Sequence, residues 1–264
     1  MPRNLISETL RRGLYTRVVA KRILFFQELG STMDEGRRQA DAGCDEGTLV
    51  LAETQTTSRG RFNRTWVSQA GNLYLSIIFY PSVTALPFLS SLGGVAVARA
   101  IRRITGLQPK LKWPNDVLVG VSKVAGILVE SVVEGSEVKY AVLGIGINVN
   151  IDQQHLAGVP AAASLNDATG KEIARDELLT CLLHEIDALY LGLKQGRTPL
   201  AQWKGLLDTL GQQVNVTSGD RSYRGLAEDI DEIGNLQVRL DDGQLVTLTS
   251  GDVTLNAPVA DVTP

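Results

Sequence analysis

Three arginines fall within six residues in the run Gln55 to Trp66, QTTSRGRFNRTW. Gly60 stands between Arg59 and Arg61, so the backbone there can approach a ligand while the planar guanidinium forks of Arg59, Arg61 and Arg64 close on phosphate or carboxylate oxygens. A solvated basic loop has the same composition. In Lys112-Trp113-Pro114-Asn115-Asp116 the proline fixes its own φ and drives Trp113 extended, so a strand ends there and Asn115 and Asp116 project polar atoms from a turn. Those residue types also make an ordinary turn. In SKVAGILVE, Lys123 stands just ahead of an apolar strand, placed to meet an anion or simply to sit at the surface. In GIGINVN, Gly144 and Gly146 strip one strand face of side chains, so a flat ring can lie on bare backbone with Asn148 at its edge. A bulge accounts for the same glycines. The third glycine and following helix of a dinucleotide fingerprint are missing.

The elements that must hold these runs follow from periodicity. Arg22–Gln27 (RILFFQ) reads as a strand, and Gly30-Ser31-Thr32 opens a polar helix through about Ala42. Ser31 or Thr32 is its N-cap, with Glu35 at capping-box spacing from Thr32. Thr48–Glu53 is a strand, and Asn72–Tyr80 alternates Leu73, Leu75, Ile77 and Phe79 against Tyr74, Ser76, Ile78 and Tyr80. The spacing predicts helices over Phe88–Thr105, Glu177–Lys194 and residues 199–208, and a short helical segment over Leu5–Val19. Lys110–Trp113, Gly126–Val133 and Tyr140–Val149 read as strands. After Gly211 short alternating strands are separated by Ser218-Gly219-Asp220, Gly234-Asn235 and Asp242-Gly243, the texture of a small all-β barrel. The last residues, APVADVTP, read as frayed.

Composition closes off several classes of function. With 44% hydrophobic residues in 264, the bulk of the chain folds rather than remaining disordered. No apolar run reaches the length of a membrane span, and the N-terminus lacks the apolar core of a secretory signal. Cys44 and Cys181 make neither a disulfide framework nor a zinc site, and neither sits where a nucleophilic thiol would. The two histidines, His155 in a loop and His184 on a leucine-rich helix, read as solvated or internally satisfied. The chain is therefore expected in the cytoplasm. Its net charge of −3 conceals segregation. Residues 51–130 carry nine basic side chains against three acidic ones, and residues 205–264 carry three against ten. The basic middle suits an anionic ligand, and the acidic tail argues against wholesale nucleic-acid binding.

Taken in order, Ser31-Thr32, QTTSRGRFNRTW, NLYLS, KWPND, SKVAGILVE and GIGINVN resemble the biotin protein ligases along nearly the whole chain. The resemblance implies an α+β fold. A mixed sheet packed with helices forms the catalytic domain (residues 1–208), and a small SH3-like β-barrel forms the C-terminal one (209–264). It implies ATP-dependent activation of biotin to biotinyl-5′-AMP, then transfer to a lysine of a biotin carboxyl carrier protein. By the same resemblance Lys123, Arg61, Arg59 and Asp116 carry the chemistry. Ser31, Thr32, Met33, Gln55, Gly60, Gly126, Gly144 and Gly146 join Arg59, Arg61 and Lys123 around biotin. Arg61, Arg64, Trp66, Lys112, Asn115 and Asn148 meet ATP, with Mg²⁺ beside the phosphates and no metal ligand assigned. Asp116 holds the metal, orients the incoming amine, or is a turn carboxylate bonded to nearby backbone. A homodimer stays open as the assembly. The DNA-binding domain of repressor-type members has no counterpart, so DNA is not an expected partner.

The sequence departs from the family at three places. Ser58 and Asn63 replace the first and last glycines of Gly-Arg-Gly-Arg-x-Gly-Arg, and Met33 stands where many members have asparagine. Asn63 is the residue next best suited to a left-handed backbone. Clustered guanidinium groups also suggest a loop that orders only around ligand. Two rival readings remain at this level. A lipoate ligase or octanoyltransferase shares the fold and acyl-transfer logic, but a dithiolane acid offers no urea for Ser31, Thr32 and Gln55. An RNA- or anion-binding module would need aromatics interleaved with the arginines.

Overall fold

Seven strands form a mixed sheet in the computed structural model, which describes residues 13–151, 156 and 161–255. They are β1 (Ile23–Leu29), β2 (Leu49–Gln55), β3 (Leu73–Phe79), β4 (Lys110–Lys112), β5 (Asp116–Val119), β6 (Ser122–Glu134) and β7 (Glu137–Ile147). Their order is β1-β2-β3-β7-β6-β5-β4. Only β1 and β2 run parallel, joined over one face by helix α1 (Thr32–Asp41), as a crossover requires.

All seven residues of β3 are buried, because both faces of the sheet are covered. Leu73, Leu75, Ile77 and Phe79 pack with helices α2 (Leu89–Thr105) and α4 (Arg175–Lys194) in the main core. On the opposite face Met33 and Ala40 of α1 meet Val50, Ile78, Tyr140 and Val142 in a smaller cluster. The alternation seen in the sequence is therefore two apolar faces. Helices α3 (Leu165–Thr169) and α5 (Leu200–Leu206) complete this part.

Strands β8 (Gln213–Ser218), β9 (Arg221–Ile230), β10 (Leu236–Leu240), β11 (Leu245–Leu248) and β12 (Asp252–Leu255) pair antiparallel in the order β11-β10-β9-β8-β12. The expected barrel is thus present as a five-stranded antiparallel sheet. Its Val214, Val216, Ala227, Leu236 and Val238 join the main core. Trp113 rivets the two sheets together: it is buried, its backbone N–H donates to Thr209 Oγ1 (2.9 Å), and its indole N–H donates to the Gly234 carbonyl (3.0 Å).

Three local readings are corrected. Residues 14–19 are not helical, and residues 5–12 of that expected segment, like His155 and the last nine residues, lie outside the described ones. The reason is a competing acceptor: the Asp187 carboxylate on α4 takes the backbone N–H groups of Arg17 (2.9 Å), Val18 (2.8 Å) and Val19 (2.9 Å). The strand ahead of Pro114 stops at Lys112, and a strand not foreseen, β5, starts at Asp116. Lys123 lies inside β6 rather than ahead of it.

The Asp187 anchor has a measurable consequence. Asp187→Ala leaves three donors without their acceptor and is expected to cost roughly 3 kcal/mol. Asp187→Asn, which keeps one carbonyl oxygen, is expected to cost less. Urea midpoints at unchanged slope would show this. Equal losses for the two variants would mean that a single retained carbonyl oxygen does not anchor the segment.

Candidate active site

The N-terminus of α1, the end of β2 and the middle of β6 and β7 converge on one side of the sheet. Ser31 caps α1 in extended conformation, and its Oγ accepts the Met33 N–H (3.2 Å). The helix caps at Ser31 rather than Thr32, so Glu35 falls one position past capping-box spacing, and its carboxylate pairs with Arg38 and Gln39 instead. Thr32 N–H donates to Gln55 Oε1 (2.8 Å), and Ser76 Oγ donates to Thr32 Oγ1 (2.9 Å).

A cavity of about 60 Å³ lies here. Ser31, Thr32, Met33 and Gln55 form its polar end, Gly126, Gly144 and Gly146 its floor, and Ser58, Arg59 and Gly60 its rim. Asn115 lies on this wall too, its amide N–H donating to the Ile127 carbonyl (2.9 Å). The flat ring on the bare strand is the protein's own. A Cβ on Gly146 would fall 2.7 Å from the Trp66 indole, one on Gly126 3.0 Å from it, and the Met33 thioether occupies the space over Gly144. The indole nitrogen of Trp66 is buried with no hydrogen-bond partner among the described residues.

A second cavity, about 410 Å³, opens on the far side of Trp66 and Lys123, which line both. It adds Arg64, Lys112, Asp116, Asn148 and Asp252. Lys123 Nζ is 2.6 Å from Asp116 Oδ1 and 5.2 Å from the Trp66 ring centroid. Asn148 is buried and donates to the Ala163 carbonyl (3.1 Å).

The three arginines part company. Arg59 bonds Asp34 at 2.8 and 3.0 Å and Glu130 at 3.3 Å, chiefly through Asp34, which holds its guanidinium firmly charged. The same contact lowers the pKa of Asp34. Arg64 pairs with Asp252 of the C-terminal sheet. Arg61 lines neither cavity: it donates to the Gly251 carbonyl (3.1 Å) and lies over the Phe62 ring, and burial pulls its pKa down. Asp34, Glu130 and Asp252 thus offset the charges of Arg59 and Arg64, while the Gly251 carbonyl accepts from Arg61. The left-handed residue of the loop is Phe62 (φ 55°), one position before Asn63.

Sequence reasoning missed the roles of Asp34, Glu130 and Asp252. Asp34 carried a signal, an acid beside Ser31-Thr32 in the first turn. Asp252 carried none, because its partner is 188 positions away. Among the described residues no three His, Cys, Asp or Glu side chains cluster to cage a metal, and no helix is long and apolar enough to cross a membrane.

Comparison with known proteins agrees with this layout. Residues 28–148 match the model described as the biotin/lipoate A/B protein ligase family, and residues 209–255 match the biotin protein ligase C terminal domain. The bifunctional ligase/repressor BirA of Bacillus subtilis is 32% identical over 261 residues, 96% of this chain and 80% of that protein. The biotin–(acetyl-CoA-carboxylase) ligase of Mycobacterium tuberculosis is 32% identical over 236 residues, 86% of each chain. The solved biotin protein ligase from Aquifex aeolicus in complex with biotin and ATP superposes with a TM-score of 0.72 at 29% identity, covering 89% of this chain and 99% of that one.

Proposed function

This chain belongs to the biotin protein ligase family, and we propose that its two cavities divide the reaction, the smaller holding biotin and the larger the nucleotide. The enzyme activates biotin with ATP to biotinyl-5′-AMP and pyrophosphate, then transfers the biotinyl group to a carrier lysine. The observation that carries the division is the shared wall: Lys123 and Trp66 face both cavities at once.

In the first step a biotin carboxylate oxygen bonds the α-phosphorus of ATP while the bond to pyrophosphate breaks. Both reactants are anions, so repulsion and leaving-group charge dominate the barrier. Lys123 neutralises the carboxylate and an α-phosphoryl oxygen at the meeting point. Lys112 and Arg64 face the phosphates, and Asn148 and Trp66 border the adenosine. Arg59 caps the biotin cavity, and Arg61 holds the loop to the C-terminal sheet. The bicycle runs along Gly144 and Gly146. Met33 and Trp66 give way by rotation, since the cavity as described holds only a few waters. Ser31, Thr32 and Gln55 bond the ureido group.

In the second step the carrier amine attacks the acyl carbon and AMP leaves. Asp116, facing the larger cavity, orients that amine and takes its proton once Lys123 has turned to the adenylate. The donor set fits magnesium as a companion of ATP. Asp116 and Asp252 offer the one or two carboxylates that Mg²⁺ uses beside phosphate and water, and it would offset charge on the departing pyrophosphate. The chain divides at 208/209, where the second sheet's domain begins, and ATP and a carboxylase carrier as substrates support a cytoplasmic location.

One incubation tests the whole reading. With biotin, ATP, Mg²⁺ and a biotin-carboxyl-carrier domain, intact mass is expected to show one added biotinyl group on the carrier. A lipoyl gain with lipoate and none with biotin would overturn it.

A further inference from the structure

Ser58 is a family departure that the mechanism leaves unused, and its hydroxyl is not idle. Its Oγ donates to the Trp66 carbonyl at 2.7 Å and lies 2.8 Å from Ser68 Oγ. Ser68 Oγ is 3.0 Å from Gln55 Nε2, and Gln55 Oε1 accepts the Thr32 backbone N–H at 2.8 Å. A backbone N–H can only donate and a carbonyl can only accept, so the Thr32 N–H at one end and the Trp66 carbonyl at the other together set the direction of the links between them. Thr32 N–H gives to Gln55 oxygen, Gln55 N–H to Ser68, Ser68 O–H to Ser58, and Ser58 O–H to the Trp66 carbonyl.

We propose that Ser58 is a positioning residue for biotin recognition. Its hydroxyl terminates a one-way hydrogen-bond relay that locks the Gln55 amide with its nitrogen, not its oxygen, available to the small cavity.

The neighbouring hydroxyls take the same sense. Ser31 Oγ already accepts from Met33, and Thr32 Oγ1 from Ser76, so each has its hydrogen left to give. The polar end of the cavity is then a cluster of donors, matched to the carbonyl oxygen of a cyclic urea. Without the Ser58 hydroxyl, the nearest remaining acceptor for Ser68 is the Trp66 carbonyl at 3.3 Å, a poor bond. The Ser68 hydrogen then lacks a good acceptor, and the Gln55 amide, still oriented by the Thr32 N–H, is held firmly from one end only. A glycine at position 58 supplies no such terminus.

This inference rests on the assignment of the small cavity to biotin, and the experiment separates the two. Steady-state biotinylation by the full chain is measured for Ser58→Ala, Ser58→Thr, Ser68→Ala, the Ser58/Ser68 double alanine variant and Gln55→Ala. Each is assayed with biotin and with 2-iminobiotin, whose protonated guanidine replaces the carbonyl acceptor by donors. Ser58→Ala is expected to raise KM for biotin about five- to ten-fold with kcat little changed, and to narrow the preference for biotin over 2-iminobiotin. Ser58→Thr, which keeps the hydroxyl, is expected to restore both. Loss of either serine breaks the same relay, so the double variant is expected to be no worse than Ser58→Ala alone.

An unchanged preference between the two acids in Ser58→Ala, or additive losses in the double variant, would overturn the relay. If Gln55→Ala left KM for biotin unchanged, the cavity assignment would fall and the relay with it. If Gln55→Ala alone raised it, only the relay would fall.

Discussion

Lys123→Ala is expected to slow biotin-dependent ATP–pyrophosphate exchange by about 10²- to 10³-fold, with the urea midpoint near that of the parent. The size follows from where the ammonium stands. It is on the wall common to both cavities, partly enclosed, with Asp116 at 2.6 Å and the indole face of Trp66 beneath it. No other described cation borders both spaces: Arg59 lines only the smaller, and Arg64 and Lys112 only the larger. The alanine variant also leaves Asp116 as an unbalanced anion in the nucleotide cavity, so KM for ATP should rise as well. Adding Asp116→Ala is then expected to recover part of the ATP affinity and none of the exchange rate. Lys123→Arg should not substitute, because a planar fork does not fit the space of a compact ammonium that bonds Asp116 end-on. Exchange within about ten-fold of the parent would assign the charge compensation to another residue.

How much of this could be read beforehand depended on range. Elements whose signal is local were legible: α1 from its serine cap, β3 from its alternation, α4 from its leucine stripe. What was misread was decided by partners far along the chain. Residues 14–19 lose helical character to an acceptor about 170 positions away, and β5 exists because Asp116–Val119 finds an antiparallel partner in β6. The site divides in the same way. The site residues drawn from the motifs, apart from Arg61, line one or other of two adjoining spaces. The fate of each arginine was not legible, because it is set by Asp34, Gly251 and Asp252, outside every motif, and by Glu130, the last residue of SKVAGILVE, to which the motif gave no role. Nor could the sequence say that the ring lying on Gly126 and Gly146 would be Trp66.

The largest expected loss of stability comes from a buried pair that no motif contains. Arg175→Met should destabilise the fold by about 3–5 kcal/mol, a third or more of the margin of a typical domain. Arg175 and Glu53 have side chains 9% and 8% exposed. Arg175 Nη1 donates to both Glu53 oxygens (2.9 and 3.1 Å) and to the Asn72 carbonyl (3.0 Å), while Glu53 also accepts the Gly71 N–H (3.1 Å). The methionine variant therefore strands a carboxylate that has almost no access to water. Adding Glu53→Gln removes that charge and keeps an acceptor for Gly71, so the double variant is expected to be more stable than Arg175→Met alone. That reversal separates the cost of an unpaired charge from simple loss of packing, which would make the double variant no better. The pair also has a path to function. Glu53 lies two residues before Gln55 on β2, and Asn72 leads through the Val149 N–H (2.7 Å) to the segment carrying Asn148. Loosening this corner should raise KM for biotin and for ATP together in the single variant, and the double variant should recover both as its urea midpoint recovers. A midpoint restored without the affinities would separate this corner's stability from the two cavities.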